Sequence, residues 1–434
     1  MARLRERLTN SDLLRPLQWQ YFANITVGVV GALYMLLLGR ILGVYTFGIY
    51  AIVAATPAMV SNCFDLRLQE TIIYLQSRMR SGEENIDSGV VASIFTIDLL
   101  ARLAGLFLSI AAGMLATAYL GVSVGFALIL TAALTVFLAK AGNSPAMGIL
   151  RMRDELDYFA KCQVSDWTAR VLLLIVLQQA DALSLLTIFA SQAGSAAFHN
   201  GLVIARANRA FGLDTERSLF GSLSSVTRTW RMHRSLLLNG QAISISDSVI
   251  KELDTIAVAS VLPVSSVGAY KMAKNFASIA WRAADPIYIV ILPRLAQLCS
   301  KADREALRSF LRRMTILLLG FGVVLFGGSI FAAQLGVKLV LGPEFAPAAL
   351  AFPLAGAWIL VCTPLIWTHS LAFAAGRPGL QTWASVIGNL GGLCAIYAGA
   401  WRFGLSGAAL GLSVAYALPF VLAFAFLRNA GLTR

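Results

Sequence analysis

Apolar residues along this chain do not alternate with polar ones; they come in long runs. Stretches such as 104–122, 171–190, 314–333 and 405–427 are almost free of charge. Each approaches or exceeds the ~20 residues with which a helix crosses a ~30 Å hydrocarbon layer. A transmembrane β-barrel would show in–out alternation in segments of about ten residues instead. Between the runs stand clusters that release the backbone from helical geometry: GV at 43–44, SGEEN at 81–85, LGVS at 120–123, VLPVSS at 261–266, LGPEF at 341–345 and GRPG at 376–379. The pattern predicts an all-α polytopic membrane protein with about twelve spans. They fall at 17–42, 46–75, 89–118, 122–149, 157–179, 182–206, 236–262, 265–292, 314–338, 345–374, 379–400 and 405–427.

Composition agrees: 58% of the 434 residues are hydrophobic and 13% charged, against about 25% charged in a soluble domain. The net charge of +13 points to membrane topology and not to nucleic acid, because the basic residues sit in alternate loops. One set carries Arg3, Arg5, Arg7 and Arg15, then Arg78 and Arg80, Arg151 and Arg153, Arg206 to Arg234, Arg294 to Arg313, Arg377, and Arg428 with Arg434. The other set holds only Arg40, Lys338 and Arg402. By the positive-inside rule both termini are cytoplasmic and the span count is even. The basic N-terminus leads directly into an apolar run with no cleavage pattern, and reads as an uncleaved first helix.

Candidate chemistry is sparse. The five cysteines form no CxxC, and His199, His233 and His369 are too dispersed for metal-ligand spacing. There is no GxxxxGK[ST] nucleotide loop. No catalytic constellation, resident cofactor or metal site is expected. The remaining candidates are ionisable residues inside predicted spans, each costing roughly 2.5–3.5 kcal/mol at a helix centre on insertion scales. Asp98 and Arg102, and Asp166 and Arg170, stand at i and i+4, a spacing that puts both partners on one helical face. Folding spans three and four about position 121 brings Lys140 level with Arg102. Folding spans seven and eight about position 264 sets Asp254 level with Lys274 and Asp247 level with Arg282. That leaves Lys251 and Lys271 as the least compensated cations of a group that also holds Glu252 and Asp285. The alternatives are paired charges tying helices together, or a polar cavity. In the second reading Arg102, Lys140, Arg170, Lys251, Lys271 and Lys274 bind an anionic head group, and Asp98, Asp166 and Asp254 carry a coupling ion.

The polar, basic stretch 207–235 is suited to link a bundle at 1–206 to a second at 236–434, or to lie along the anionic inner leaflet. The two regions share a turn: ILGVYTFGIYA at 41–51 and VLPVSSVGAYK at 261–271 lie 220 positions apart, close to half the chain. Loop charge puts both turns on one side of the membrane, as a parallel repeat requires. Their common Gly-x-Tyr reads as a close helix approach with an aromatic at the membrane interface.

Several segments resemble the polysaccharide transporters. LGRILGVYTFGIYAI (38–52) is similar to their R-x-L-G-x-x-x-[FY]-G-x-Y, and LDTIAVASVLPVSSVGAYKMA (253–273) to their span-seven to span-eight segment. ILPRLAQL (291–298), LVLGPEFAPAA (339–349) and FGLSGAALG (403–411) resemble later motifs in the same order. That family belongs to the multidrug/oligosaccharidyl-lipid/polysaccharide (MOP) exporter superfamily. The resemblance implies two pseudo-symmetric six-helix bundles around a central cavity, a MATE/MOP-like fold. It also implies a flippase of the bacterial inner membrane that moves undecaprenyl-pyrophosphate-linked oligosaccharide for surface polysaccharide (O-antigen, capsule or exopolysaccharide) by alternating access. The driving force would be an H+ or Na+ gradient, and the partners other polysaccharide-assembly proteins. A drug/cation antiporter of the same superfamily is the alternative. A lipid II flippase resembles a longer chain, and a polymerase or ligase needs a larger periplasmic loop than any here.

Overall fold

The computed structural model describes residues 11–69, 71–72, 88–153, 155–211, 223–248, 252–282, 284, 287, 291, 295, 298–299, 304–375 and 377–432. Apart from short π and 3-10 turns, every regular element among them is α-helical. Six segments among them are long and apolar enough to cross a membrane: Thr26–Cys63, Gly89–Tyr119, Phe126–Met152, Glu305–Leu341, Pro343–Ala372 and Gly379–Asn429. Large apolar side chains such as Phe107, Leu115, Val324 and Phe331 are exposed, an arrangement stable against acyl chains and not against water.

The chain gathers into two compact units, Met1–Gly31 with Thr56–Ile245, and Ala32–Ala55 with Ser246–Arg434. The first helix, α1 (Ser11–Cys63), breaks its helical geometry at Gly43 (φ 70°). The residues on either side of that break belong to the second unit and the helix's outer parts to the first.

In the first unit α2 (Ser88–Tyr119) turns at Gly121 into α3 (Phe126–Lys140), followed by the short α4 (Asn143–Met152). Then come α5 (Leu156–Gln179), α6 (Leu185–Phe211) and α7 (Leu223–Ser248). Helix α6 packs against α3, α4 and α5. One apolar core joins Leu68, Ile94, Ile149, Leu150, Phe159, Val203 and Leu237, with Trp230 packed against it. Helix α7 runs unbroken through Arg228, Arg231 and Arg234, so this part of the expected linker continues directly into the helix of span seven.

Two expected helices are interrupted here. The span at 46–75 stops at Cys63 and resumes at Leu68, with Arg67 at a positive φ of 48°. Asp65 causes the break locally, its carboxylate accepting the Arg67 N–H at 3.0 Å. The span at 122–149 is interrupted at Gly142, whose φ of 74° suits glycine and few other residues.

In the second unit α8 (Asp254–Ala259) follows a π turn at 252–253 and leads through Pro263 to α9 (Val264–Arg282). Helix α10 (Arg304–Gly336) ends in a π turn at Val337–Leu341. The apolar run after it is three helices, α11 (Ala346–Gly356), α12 (Trp358–Leu365) and α13 (Trp367–Ala374), with Pro353 and Pro364 inside the first two. Pro removes one helical hydrogen bond and clashes with the preceding turn, which accounts for bending in a stretch expected to be one span. The last helix, α14 (Pro378–Asn429), folds at Gly404 (φ 61°) into two arms. A Cβ on Gly399 would stand 2.3 Å from the carbonyl oxygen of Gly407, and one on Gly392 2.4 Å from Ala415 Cα. The arms therefore meet backbone to backbone along small residues, the close packing that drives helix association in lipid.

The two repeated turns meet each other in this unit. A Cβ on Gly48 would lie 2.1 Å from the Val264 carbonyl oxygen, and one on Gly268 2.3 Å from that of Val44. The contact is reciprocal, each copy's glycine lying on the other's backbone. The tyrosines differ from expectation. Tyr50 and Tyr270 are buried, not interfacial.

Candidate functional site

The predicted intramembrane charges form three groups. In the first unit Asp98 is fully buried and Arg102, one turn on, is 3% exposed. Their Nε–Oδ1 distance is 3.5 Å, an ion pair without hydrogen-bond geometry. Arg102 also meets Asp65 at 3.1 Å and donates to the Ser61 carbonyl at 3.0 Å. The other carboxylate oxygen of Asp98 accepts the Gly142 N–H at 2.6 Å. Both unexpected helix breaks thus serve one buried charge pair: one frees an N–H at the start of α4 for Asp98, the other bends the chain so that Ser61 and Asp65 reach Arg102. The start of a helix favours negative charge, so α4 presents its positive end as well as the Gly142 N–H to Asp98. Lys140 donates to Asn62 Oδ1 on the same bent segment. Asp98, Arg102 and Lys140 are therefore brought together, joined by Ser61, Asn62, Asp65 and Gly142, which sequence reading did not single out. Asn200 of α6 ties down the break, donating to the carbonyls of Leu138 and Ala141.

Asp166 and Arg170 form a second group on α5. The guanidinium contacts both carboxylate oxygens, at 3.2 and 2.9 Å, and lies 5.1 Å from the centroid of Trp167. Ser195 of α6 donates to Asp166 Oδ1. His199, one turn further along α6, packs edge-on against Phe159 at 6.1 Å.

The third group lies in the second unit. Asp254 is fully buried, with Lys274 at 2.7 Å, the Tyr270 hydroxyl at 2.8 Å and the Thr255 N–H at 2.6 Å. Asp254 and Lys274 face each other as the folded hairpin predicts. Lys271 is not uncompensated: its ammonium stands 3.5 Å from Glu252, because the π turn before α8 swings that carboxylate toward α9. Arg282 is exposed. Lys251, Asp285 and the Asp247 side chain lie outside the described residues. Among those described, no cluster of three or more His, Cys, Asp or Glu side chains could hold a metal ion.

Tyr270, the tyrosine of the repeated turn, is the unforeseen member of this group. Replacing it by phenylalanine removes one of the hydrogen bonds on a buried carboxylate. The expected loss is about 1.5–3 kcal/mol, the range for hydrogen bonds to charged groups, measured by equilibrium unfolding in mixed micelles. A loss below ~0.5 kcal/mol would show that Lys274 and Thr255 suffice.

Comparisons with known proteins match this architecture. A family model described as polysaccharide biosynthesis protein covers residues 13–299. No curated protein is a match in sequence. Among solved structures, a lipid II flippase, MurJ, in an inward closed conformation aligns with a TM-score of 0.73 at 12% identity, over 95% of this chain and 87% of that one. An inward-facing multidrug resistance MATE family transporter of the MOP superfamily aligns at 0.67 and 13% identity, over 96% and 95%. A point mutant of the Vibrio cholerae MATE transporter VcmN aligns at 0.62 and 12% identity, over 96% of each chain. At such identities the structures speak for the fold alone. The chain belongs to the polysaccharide biosynthesis protein family and has the all-α, multi-pass membrane fold of the MOP-superfamily transporters.

Proposed function

We propose that the protein is a transporter and not an enzyme: a flippase that carries undecaprenyl-pyrophosphate-linked oligosaccharide across the bacterial inner membrane by alternating access. The observation that carries this reading is the family match over residues 13–299 on a chain that buries cations in its membrane-spanning helices. Arg102 and Lys274 are buried, each paired with a carboxylate, and ionisable residues inside membrane spans are rare and by default functional. In this reading the chain makes twelve spans in two six-helix halves, 1–206 and 236–434, joined at 207–235, with both termini cytoplasmic. Arg102, Lys140, Arg170, Lys251, Lys271 and Lys274 serve the diphosphate, Asp98, Asp166 and Asp254 serve an H+ or Na+ gradient, and other polysaccharide-assembly proteins are partners. The second reading, an ion-coupled drug antiporter, is favoured by the MATE folds among its structural neighbours.

Deleting the gene separates the two. Under the flippase reading, lipid-linked oligosaccharide accumulates on the cytoplasmic leaflet and surface polysaccharide is largely lost. Unchanged surface polysaccharide with raised drug sensitivity supports the antiporter instead. In complemented cells Lys274→Met combined with Asp254→Asn, which leaves no unpaired buried carboxylate, is expected to restore less than about a tenth of the polysaccharide at wild-type protein abundance.

A further inference from the structure

Helix α1 ends at Cys63, and a helix end leaves carbonyls without intrahelical partners. Inside a membrane each must find its donor elsewhere in the protein. The Ser61 carbonyl takes the Arg102 guanidinium at 3.0 Å and the Phe64 N–H at 3.2 Å, and the Asn62 carbonyl takes the Asp65 N–H at 3.1 Å. The Cys63 carbonyl is met from α7, where the Gln241 side-chain amide donates to it at 2.8 Å. Three residues further along α7, the Ser244 hydroxyl accepts from Arg67 Nε at 3.2 Å. Both contacts stand just before Ile245, where α7 passes from the first unit into the second.

The elbow has a second arrangement built into its own backbone. Arg67 holds a φ of 48°, a conformation costly for an L residue, and its N–H is turned to the Asp65 carboxylate. In an uninterrupted helix the same N–H reaches the Cys63 carbonyl, four residues back. That one exchange relieves Arg67, releases Gln241 and leaves no carbonyl orphaned at position 63. It also gives the Ser61 carbonyl to the Asp65 N–H, in place of Phe64 and Arg102. Against it stand the buried side chains of Leu68 and Ile72, the Gln69 N–H on Ser144 at 3.1 Å, and Gly148 packed on the Gln69 backbone. These contacts make the elbow the resting form. Gln241 is the part of the hold that comes from the helix leading into the second unit.

We infer that Gln241 is a positioning residue for Arg102. It keeps the chain bent at 64–67, so that the Ser61 carbonyl and Asp65 stay on the guanidinium. When α7 is drawn away by movement in the second unit, the Arg67 N–H takes the Cys63 carbonyl and the segment straightens. Arg102 then loses the Ser61 carbonyl and has a donor free for another acceptor, while Asp98 stays beside it. Through this one amide the buried cation of the first unit answers to the second. The use of the release in transport rests on the flippase reading; the hold on the elbow does not.

Hydrogen exchange over 61–69, in the purified full chain in detergent, reads the hold directly. Gln241→Met keeps the length of the side chain and removes the donor, and exchange there is expected to rise about tenfold, the factor for one hydrogen bond. Gln241→Lys returns an N–H donor and should stay within about twofold of wild type. Arg67→Gly fixes the bend instead, because glycine accepts the positive φ and disfavours the straight helix. Its control is Ser244→Ala, which gives up the same side-chain contact but keeps the arginine backbone; exchange in Arg67→Gly should be the slower of the two. Surface polysaccharide in complemented cells reads the release. Arg67→Gly is expected to support less than about a third of what Ser244→Ala supports at equal abundance, as a blocked hinge does. Unchanged exchange over 61–69 in Gln241→Met overturns the inference, since α7 then does not hold the elbow. So does Arg67→Gly matching Ser244→Ala in a strain whose deletion lost the polysaccharide, the result of a bend that is only structural; this criterion stands even where Gln241→Met does not fold. An exchange response in a protein whose deletion leaves surface polysaccharide unchanged removes the flippase reading alone. Lost polysaccharide with unresponsive exchange removes this inference alone.

Discussion

Replacing Arg102 by alanine is expected to destabilise the protein by about 3–5 kcal/mol, the usual consequence of removing one partner of a buried ion pair. Asp98 is fully buried, so without the guanidinium it keeps only the Gly142 N–H and the start of α4 against the loss of hydration. Asp65 and the Ser61 carbonyl lose their shared donor at the same time, and with it the reason for the chain to bend at 64–67. Asp98→Asn should cost less, because a neutral amide in the same place leaves no uncompensated anion. Replacing both, Asp98→Leu with Arg102→Met, should recover most of the stability, since apolar substitutes for a buried pair are often neutral or better. Unfolding in mixed micelles reads all three. If the double variant is also inactive in complemented cells, the pair is retained for transport and not for folding. Equal losses for the single and double variants would contradict the buried-pair reading.

The second large effect is expected at the paired turns. Gly48→Leu and Gly268→Leu each force a side chain into a backbone carbonyl that even a Cβ would approach to 2.1 or 2.3 Å. Overpacking in a core costs about 1–3 kcal/mol where side chains can adjust. Here the obstacle is main chain, so the expected cost is at or above the top of that range. Because the contact is reciprocal, either single substitution should loosen both turns. Hydrogen exchange should rise over 41–50 and over 261–270 whichever glycine is changed. Faster exchange confined to the mutated turn would mean that the two copies do not hold each other.

How much of this was legible depended on whether a feature was local. The helix ends at Gly43, Gly121, Pro263, Gly342 and Pro378 carry their own breakers and were placed from the residues alone. So were the i, i+4 pairs and the facing of Asp254 and Lys274, which need only a hairpin fold. The bends at 64–67 and at Gly142 were not, because the partners that hold them, Arg102 for Asp65 and Asp98 for Gly142, lie 37 and 44 positions away along the chain. A weak signal did exist: KAGNSP places Gly, Asn and Pro together at 140–145, and FDLR puts two charges inside an apolar run. An uninterrupted hydropathy reading passes over both. The pairing of Lys271 with Glu252 was hidden for a related reason, since a helical wheel does not allow for a π turn. Ser195 and His199 stand out by no spacing in the sequence, because nothing links α6 to Asp166 before the helices are packed.

The hairpin at Gly404 bears on how the protein is made. Between Pro378 and Asn429 the charged residues are Arg402 near the tip and Arg428 at the end, and the arms are already zipped through Gly392, Gly399 and Gly407. Such a pair can leave the translocon together and close in the lipid before it meets the rest of the chain, docking afterwards as a finished wedge. A ribosome stalled after the first arm would leave that arm's strip of glycines facing acyl chains without the second arm to pack on it.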